Sequence, residues 1–450
     1  MDLAQRTSRR LLAVVAAIVV VTVVGMAFLW PSAAELPAVP DAPDELIDAT
    51  IRSVELYQDE PDAIAGLSGE NARMEVEITS GAEAGATVTI ETPTDGYPTF
   101  SAGDRVKLSS SELAPGEREY YIVDFQRTPA LALLAALFIG LVLAVGRWHG
   151  ARSLLGLGLS LLVVTRFIVP GILSGQSPAL VALFGALAVM LVTLYLAHGV
   201  NEMTTVAVIG TAAALTVTIG FGMLFIERAK LTGFSSEEAN LARFAVEGLD
   251  LKGLVLAGLI IAALGVLDDV TVTQASTVFA IHDADRRQTF GQLFGRAMKV
   301  GRDHIASTVN TLFLAYAGAS LALLVVFSTG GLAVGEVVNA EILAEEIVKT
   351  LVGSLGLVSA VPFTTALAAT VAVRRPLSAP PLGGTHVHAH GPDGPVPIAP
   401  AAPPTVPPDE EDISDEDRAH RSWINYLREG TQGGDVPAGP GAEPPPGEGR

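Results

Sequence analysis

Apolar and polar positions alternate along this chain on two very different scales. Eight runs are almost wholly apolar, near 11–30, 129–146, 153–173, 178–197, 203–226, 251–268, 305–327 and 353–373. Runs of about 18 residues or more are what a helix needs to cross ~30 Å of hydrocarbon. Helix is the expected form, because a lone helix satisfies its own backbone hydrogen bonds in lipid. The weak alternation of a membrane β-barrel is absent. The pattern therefore predicts an α-helical polytopic membrane protein of about eight transmembrane helices. Between the first and second runs the period drops to two. "MEVEITSGAEAGATVTIETP", "GDRVKLSS" and "EYYIVDFQR" read as strands. They predict a small antiparallel β-domain, a barrel or a sandwich, with an oligonucleotide-binding-type barrel as one candidate form. The expected organisation is an N-terminal segment and first helix over 1–30, a β-domain over 31–128, a seven-helix domain over 129–375 and a tail over 376–450.

Composition agrees with this division. Half of the 450 residues are hydrophobic (50%) and the mean hydropathy is +0.45. The net charge of −20 is concentrated outside the apolar runs. Residues 31–128 hold 20 acidic and 6 basic side chains, and residues 376–450 hold 12 and 4. That acidity argues against nucleic acid as a partner. The tail is rich in Pro, Gly, Ala and acid, as in "APAAPPTVPPDEEDISDED", and such a segment is expected to be disordered. "SWINYLREG" within it reads as a short helix. There is no cysteine, so disulfides and thiolate metal sites are excluded.

Basic residues assign the sides. Arg6, Arg9 and Arg10 precede the first run, and Arg147 and Arg152 separate the second and third. Arg286, Arg287, Arg296, Lys299 and Arg302 separate the sixth and seventh, and Arg374 and Arg375 follow the eighth. With eight spans all four clusters fall on one side, which positive residues mark as cytoplasmic. Both termini are then expected in the cytoplasm and 31–128 outside the cell membrane. The first run follows "RTSRR" and precedes the small-residue stretch "PSAAE". It exceeds the usual 7–15 residues of a signal-peptide core, which favours an uncleaved anchor.

Candidate chemistry centres on "GVLDDVTVTQ". Asp268 and Asp269 close an apolar run, and a charge in a bilayer normally faces a cavity or a partner. Neighbouring helix positions diverge by about 100°, so one of the two, with Asp268 the choice, is expected to face the bundle near Asn310 of the seventh run. The polar Thr271, Thr273 and Gln274 that follow leave open that the span ends here, with "TVTQASTVFAIHDADRR" an interfacial or re-entrant helix. "GRDHIASTVNTLFLAYAG" opens the seventh run and adds Thr308, Asn310 and Thr311 as transport-path candidates, against a plain helix-packing role. His198, Asn201 and Glu202 read as a solvated turn. His282, Asp283, Asp285 and His304 are metal-ligand candidates of the hard kind, and His386, His388 and His390 form a His-bearing tract in the tail. No Gly-rich nucleotide loop, serine elbow or zinc-protease motif occurs, so no enzyme activity and no cofactor is indicated.

"GVLDDVTVTQAS", "GRDHIASTVNTLFLAYAGASLALL" and "GSLGLVSAVPFTTALAA", with "HGVNEMTTVAVIGT" more weakly, resemble the YibE/F-like family of bacterial membrane proteins, over about residues 50–373. The resemblance implies a multipass permease without an assigned substrate, and an Asp at the place of Asp268 or Asp269. Glu202 and Met203 depart from the basic residue and Thr of the family pattern. Two functions remain in view. One is a permease or transporter of an ion or small solute. The other is a membrane scaffold or assembly protein, recruiting protein partners or a second copy through the β-domain and tail. A hydrolase using the paired aspartates lacks a second motif.

Overall fold

The computed structural model describes residues 3–32, 46–58, 70–114, 117–331, 333–376 and 379. The small-residue stretch after the first run, most of the tail with "SWINYLREG", and His386, His388 and His390 lie outside the described residues.

The chain opens with helix α1 (Leu3–Phe28), whose Leu11 and Val15 are buried against the bundle. Five strands follow: β1 (Ile47–Gln58), β2 (Glu70–Ile78), β3 (Thr87–Pro93), β4 (Arg105–Ala114) and β5 (Glu117–Phe125). They form one antiparallel sheet in the order β3-β2-β1-β4-β5, and its edge strands β3 and β5 also touch. One face buries Ala49, Ile51, Met74, Val76, Ile78, Ile90, Val106 and Leu108. This is the alternation that the strand-like stretches announce. β1 is an addition to them. Its register shifts between Ile51 and Ser53, so the apolar phase of Ile47, Ala49 and Ile51 changes to that of Val54 and Leu56 and the period is hidden. On the outer face Glu91 accepts hydrogen bonds from Arg73 Nε (2.7 Å) and Tyr57 Oη (2.9 Å).

The helical part consists of α2 (Thr128–Val163), a π-helical turn (Val164–Ile168), α3 (Val169–Leu173), α4 (Pro178–His198), α5 (Glu202–Arg228) and α6 (Glu237–Ala245). After these come α7 (Leu251–Ala284), α8 (Phe290–Ala319), α9 (Leu321–Thr329), α10 (Val334–Asn339) and α11 (Glu341–Ala372). Among the described residues, six helices are long and apolar enough to cross a membrane, or up to seven if the bent pair α8 and α9 (61°) is one span. The count falls short of eight because the runs 129–146 and 153–173 share one 46-residue helical stretch, Thr128–Leu173. That stretch is not straight. Arg147 has φ 48° and ψ −126°. A Cβ on Gly150 would collide with the carbonyl of Val142, although eight residues of straight helix span about 12 Å.

α7 and α11 form the middle of the bundle, packed on α5, α4 and α8. α7 is apolar nearly all round, as a helix enclosed by others must be. Its Leu259, Ile260, Ala263, Leu264, Leu267 and Val270 are buried with Val208, Leu215, Leu357, Ala360 and Val361. Small residues let the helices close up. A Cβ on Gly356 would meet the Thr218 hydroxyl, and one on Gly210 the Thr364 hydroxyl. Side-chain caps fix the starts: Asp250 accepts from the Gly253 amide, Asn201 from Thr204, and Thr289 forms a capping box with Gln292.

α7 is continuous through Asp268 and Asp269 and on to Ala284. The helix break or re-entrant segment expected there is not found. Thr271 and Gln274 are instead buried (0% and 2% exposed). The Gln274 amide donates to Thr365 Oγ1 (2.7 Å) and to the Ala297 carbonyl (3.1 Å), joining α7 to α11 and α8. These polar positions face helices rather than water, which is why they are compatible with a long span.

Two outcomes test this account. Gln274→Leu removes both interhelical bonds and should lower stability in detergent by about 0.6–1.7 kcal/mol, the range for such bonds in membrane bundles, as read by thermal unfolding. In the β-domain, Arg73 and Tyr57 hold the Glu91 carboxyl below the usual range. Its stabilising effect is present above the ordinary carboxylate pKa and is lost as pH falls through the lowered one. The parent should therefore lose more stability on acidification than Glu91→Gln does, with a small difference because the pair is exposed.

Candidate functional site

The carboxylate of Asp268 lies halfway along α7, far from either helix end. It lines a cavity of about 490 Å³ between α4, α7, the second half of α2 and the π-helical turn. Ile168, Ala186, Ile261 and Leu264 supply apolar wall. Ser153, Ser160, Thr193, His198, Asp268, Asp269 and Thr273 supply the polar groups. Thr273 follows Asp269 by four residues, so the two share one helix face.

The two aspartates differ in depth. Asp269 is exposed, whereas Asp268 is half-buried. Oδ1 of Asp268 is shut off from solvent and has no hydrogen-bond partner among the described residues. The hydroxyls of Thr193 and Thr211 approach this carboxylate, and each has a second partner. Thr193 donates to the Val189 carbonyl at 2.8 Å. Thr271 Oγ1 lies 2.6 Å from Thr211 Oγ1, a pair in which either hydroxyl can donate, and 3.2 Å from the Asp268 carbonyl. An orphaned carboxylate oxygen in a desolvated place is costly. It is a group waiting for a proton, a cation or a solute donor.

The seventh-run candidates sit elsewhere. Asn310 and Thr311 are exposed on α8 and Thr308 is half-buried. None of the three lines the cavity, so the expected meeting of Asn310 with Asp268 does not occur. The reason is geometric. α8 buries Leu293, Ala297 and Gly301 in its first half and no residue after them. Thr311 only returns its hydroxyl to the Ser307 carbonyl at 3.0 Å.

The metal-ligand candidates are likewise separated. Among the described residues no group of three or more His, Asp or Glu is placed to hold a metal ion. Asp283 is engaged by Arg286 (3.0 Å) and faces Arg375 (4.0 Å), and Asp285 lies 4.0 Å from Arg296. His282 is buried, with Nδ1 unpartnered among the described residues. His304 stands on α8, half-buried.

Nor are residues 198–202 a plain solvated turn. His198 lines the cavity, Asn201 caps α5, and Glu202 pairs with Arg375 Nε at 3.0 Å. Arg375 thereby ties the start of α5 to the ends of α7 and α11, and Arg374 reaches Thr7 of α1 at 3.3 Å. The opposite ends are tied by α11. Glu341 accepts from the Thr232 hydroxyl (2.8 Å) and the Gly233 amide (2.9 Å), and Glu345 from Ser235. Gly233 is required at this clamp. Its φ is +79° and a Cβ would strike the backbone of Leu251.

Sequence reasoning missed Thr193, Thr211, Ser153 and Ser160. Each is a lone hydroxyl in an apolar helix, and only packing reveals which of them share a wall. Arg375→Ala should leave Glu202 and Asp283 facing each other without their shared cation. The expected loss is on the order of 1–3 kcal/mol, read as a lower unfolding temperature, and a Glu202→Gln, Arg375→Ala double variant should recover part of it.

No curated protein and no solved structure matches the chain significantly. A family match is found over residues 134–374, to the family described as YibE/F-like protein. It contains the whole cavity and the Arg375-proximal helix ends but leaves the β-sheet outside. The chain belongs to the YibE/F-like family.

Proposed function

We propose that this protein is a multipass permease of the cell membrane, moving an ion or small solute by way of the cavity at Asp268. The observation that carries the reading is the unpartnered, desolvated Oδ1 of a mid-helix aspartate on the wall of that cavity. A scaffold needs no such group. An ionised side chain at the bilayer centre costs several kcal/mol, and residues that carry this cost usually mark ion or substrate paths.

The topology proposed with it has eight spans. The reversal at Arg147, where Gly150 meets Val142, divides Thr128–Leu173 into two spans, and the bent pair α8 and α9 makes one more. Both termini are then cytoplasmic, as are the ends joined by Arg375, Glu202 and Asp283. The ends joined by Glu341 and Thr232 fall on the outer side with the β-domain. These two independent sets of contacts agree with the basic clusters. The strand order β3-β2-β1-β4-β5, with touching edges, supports reading the sheet as a five-stranded barrel of the oligonucleotide-binding type.

Two measurements test the proposal. A cytosol-only reporter fused after Arg375 should be active, and activity of a periplasm-only reporter there would remove the eight-span topology. In proteoliposomes screened over inorganic ions and small organic anions, the parent should move at least one solute. Asp268→Asn should abolish that flux at normal protein levels. Flux unchanged in this variant would reject the site.

A further inference from the structure

We infer that Asp268 is a proton-exchange site, whose carboxyl takes up and releases a proton through the cavity and so couples solute movement to protons. This deepens the permease reading and rests on it for the coupling, whereas proton binding at Asp268 is measured by itself.

The charges around the cavity are the starting point. Asp268 and Asp269 are consecutive and both line it, and none of the described lining residues is Lys or Arg. Two carboxylates in one space without a cation oppose each other's charge. They do not bear that cost equally. Asp269 is exposed, and water can hold its charge. Asp268 is half-buried, so it reaches the cavity, yet its Oδ1 is sealed from solvent and unbonded among the described residues. A proton removes the charge at its source and needs no set of ligands, only a carboxylate oxygen and a route to it.

The neighbours of Asp268 suit both of its forms. The hydroxyls of Thr193 and Thr211 approach the carboxylate, and a hydroxyl both donates and accepts. Thr211 pairs with Thr271 at 2.6 Å in a bond that runs either way. With Thr271 as donor, the Thr211 proton is free for an ionised carboxylate. With Thr211 as donor, its oxygen can accept from a protonated one. An Arg or Lys in this place would fix the ionised form, and a wholly apolar wall the neutral one.

A route is present as well. Among the described residues lining the cavity, the titratable groups are His198 of α4 and Asp268 and Asp269 of α7. The other helices packed on α7, namely α5, α8 and α11, add none to the wall. His149 of α2 lies beyond His198 and acts on it electrostatically. His198 interacts in turn with Asp269, and Asp269 with Asp268. Three groups able to exchange protons thus run from the end of α4 to the middle of α7, and a histidine is suited to such hand-over near neutral pH. In each exchange one O–H bond forms on Asp268 as the proton leaves cavity water, and the same bond breaks on release. Nothing else is made or broken.

The test uses the full chain purified in detergent. N,N′-dicyclohexylcarbodiimide is an apolar reagent that attacks carboxyl groups in their protonated form. At neutral pH, peptide mass spectrometry should find its adduct on Asp268 and not on Asp269 or Asp285, which are exposed. The adduct should be lost on making the solution alkaline. Infrared difference spectra between acid and alkaline solution give a second reading. A carboxylic C=O band should titrate in the parent and be missing from Asp268→Asn. Should Asp268→Asn fail to fold, the adduct on the parent decides alone. Asp268 unmodified at neutral pH overturns the inference, as does an adduct on Asp269 in its place, or infrared bands identical in parent and variant. In proteoliposomes, uptake of a transported solute should rise under an imposed pH gradient and fall when a protonophore collapses it. Uptake indifferent to the gradient, with Asp268 unmodified, would reject the proton site and leave the permease reading intact. An adduct on Asp268 without any solute flux would support the site and count against the permease.

Discussion

A polar side chain in the middle of a membrane-spanning helix has to find its partner inside the protein, because hydrocarbon offers none. α7 carries four such residues in a row of turns, and the bundle is arranged around them. Thr271 is met by Thr211 of α5. Gln274 is met by Thr365 of α11 and by the backbone of α8 at Ala297. Asp269 opens to the cavity, and Asp268 is left with one oxygen that nothing in the described chain satisfies. The satisfied members locate α7 against three neighbouring helices. The unsatisfied one is the group on which the proposed permease reading rests.

That arrangement also explains the distribution of small residues and charges. Gly210 and Gly356 bring α5 and α11 close enough to touch through Thr364 and Thr218, and α7 lies against both. Charged residues appear where the helices end. Arg375, Glu202 and Asp283 join one set of ends, while Glu341 and Glu345 join the other to the loop after α5. The middle of the bundle is thus held by hydroxyls, an amide and close packing. Its ends are held by charged groups that hydrocarbon would not tolerate, the ion-paired Arg375 on one side and the hydrogen-bonded Glu341 and Glu345 on the other.

Much of this was legible in the sequence. The apolar runs located the helices, the period-two stretches located four strands, and the paired aspartates stood out from their run. What failed had physical causes. Thr271 and Gln274 suggest the end of a span when read singly, since only tertiary partners reveal a polar residue turned inward. Asn310 attracts notice because an amide in a span is rare, yet it sits on an exposed face of α8. The hydroxyls at Thr193 and Thr211 look like any others in apolar helices. Their place beside Asp268 depends on how the helices pack, and no spacing rule records that. The alternation in β1 is concealed by a bulge.

The central claim is that Asp268 belongs to a hydrated cavity rather than to a dry helix seam. The absence of native cysteine makes single-cysteine labelling the most direct measurement. Ala197→Cys on α4 and Thr273→Cys on α7, both lining the cavity, should react with a membrane-impermeant maleimide in membranes opened to it on both sides. Leu131→Cys, on the exposed apolar face of α2, should remain unlabelled in lipid. Labelling at both cavity positions and not at the lipid-facing one is the predicted result. Thr273→Cys and Ala197→Cys as inert as Leu131→Cys would mean that no water reaches Asp268, and the account would be wrong.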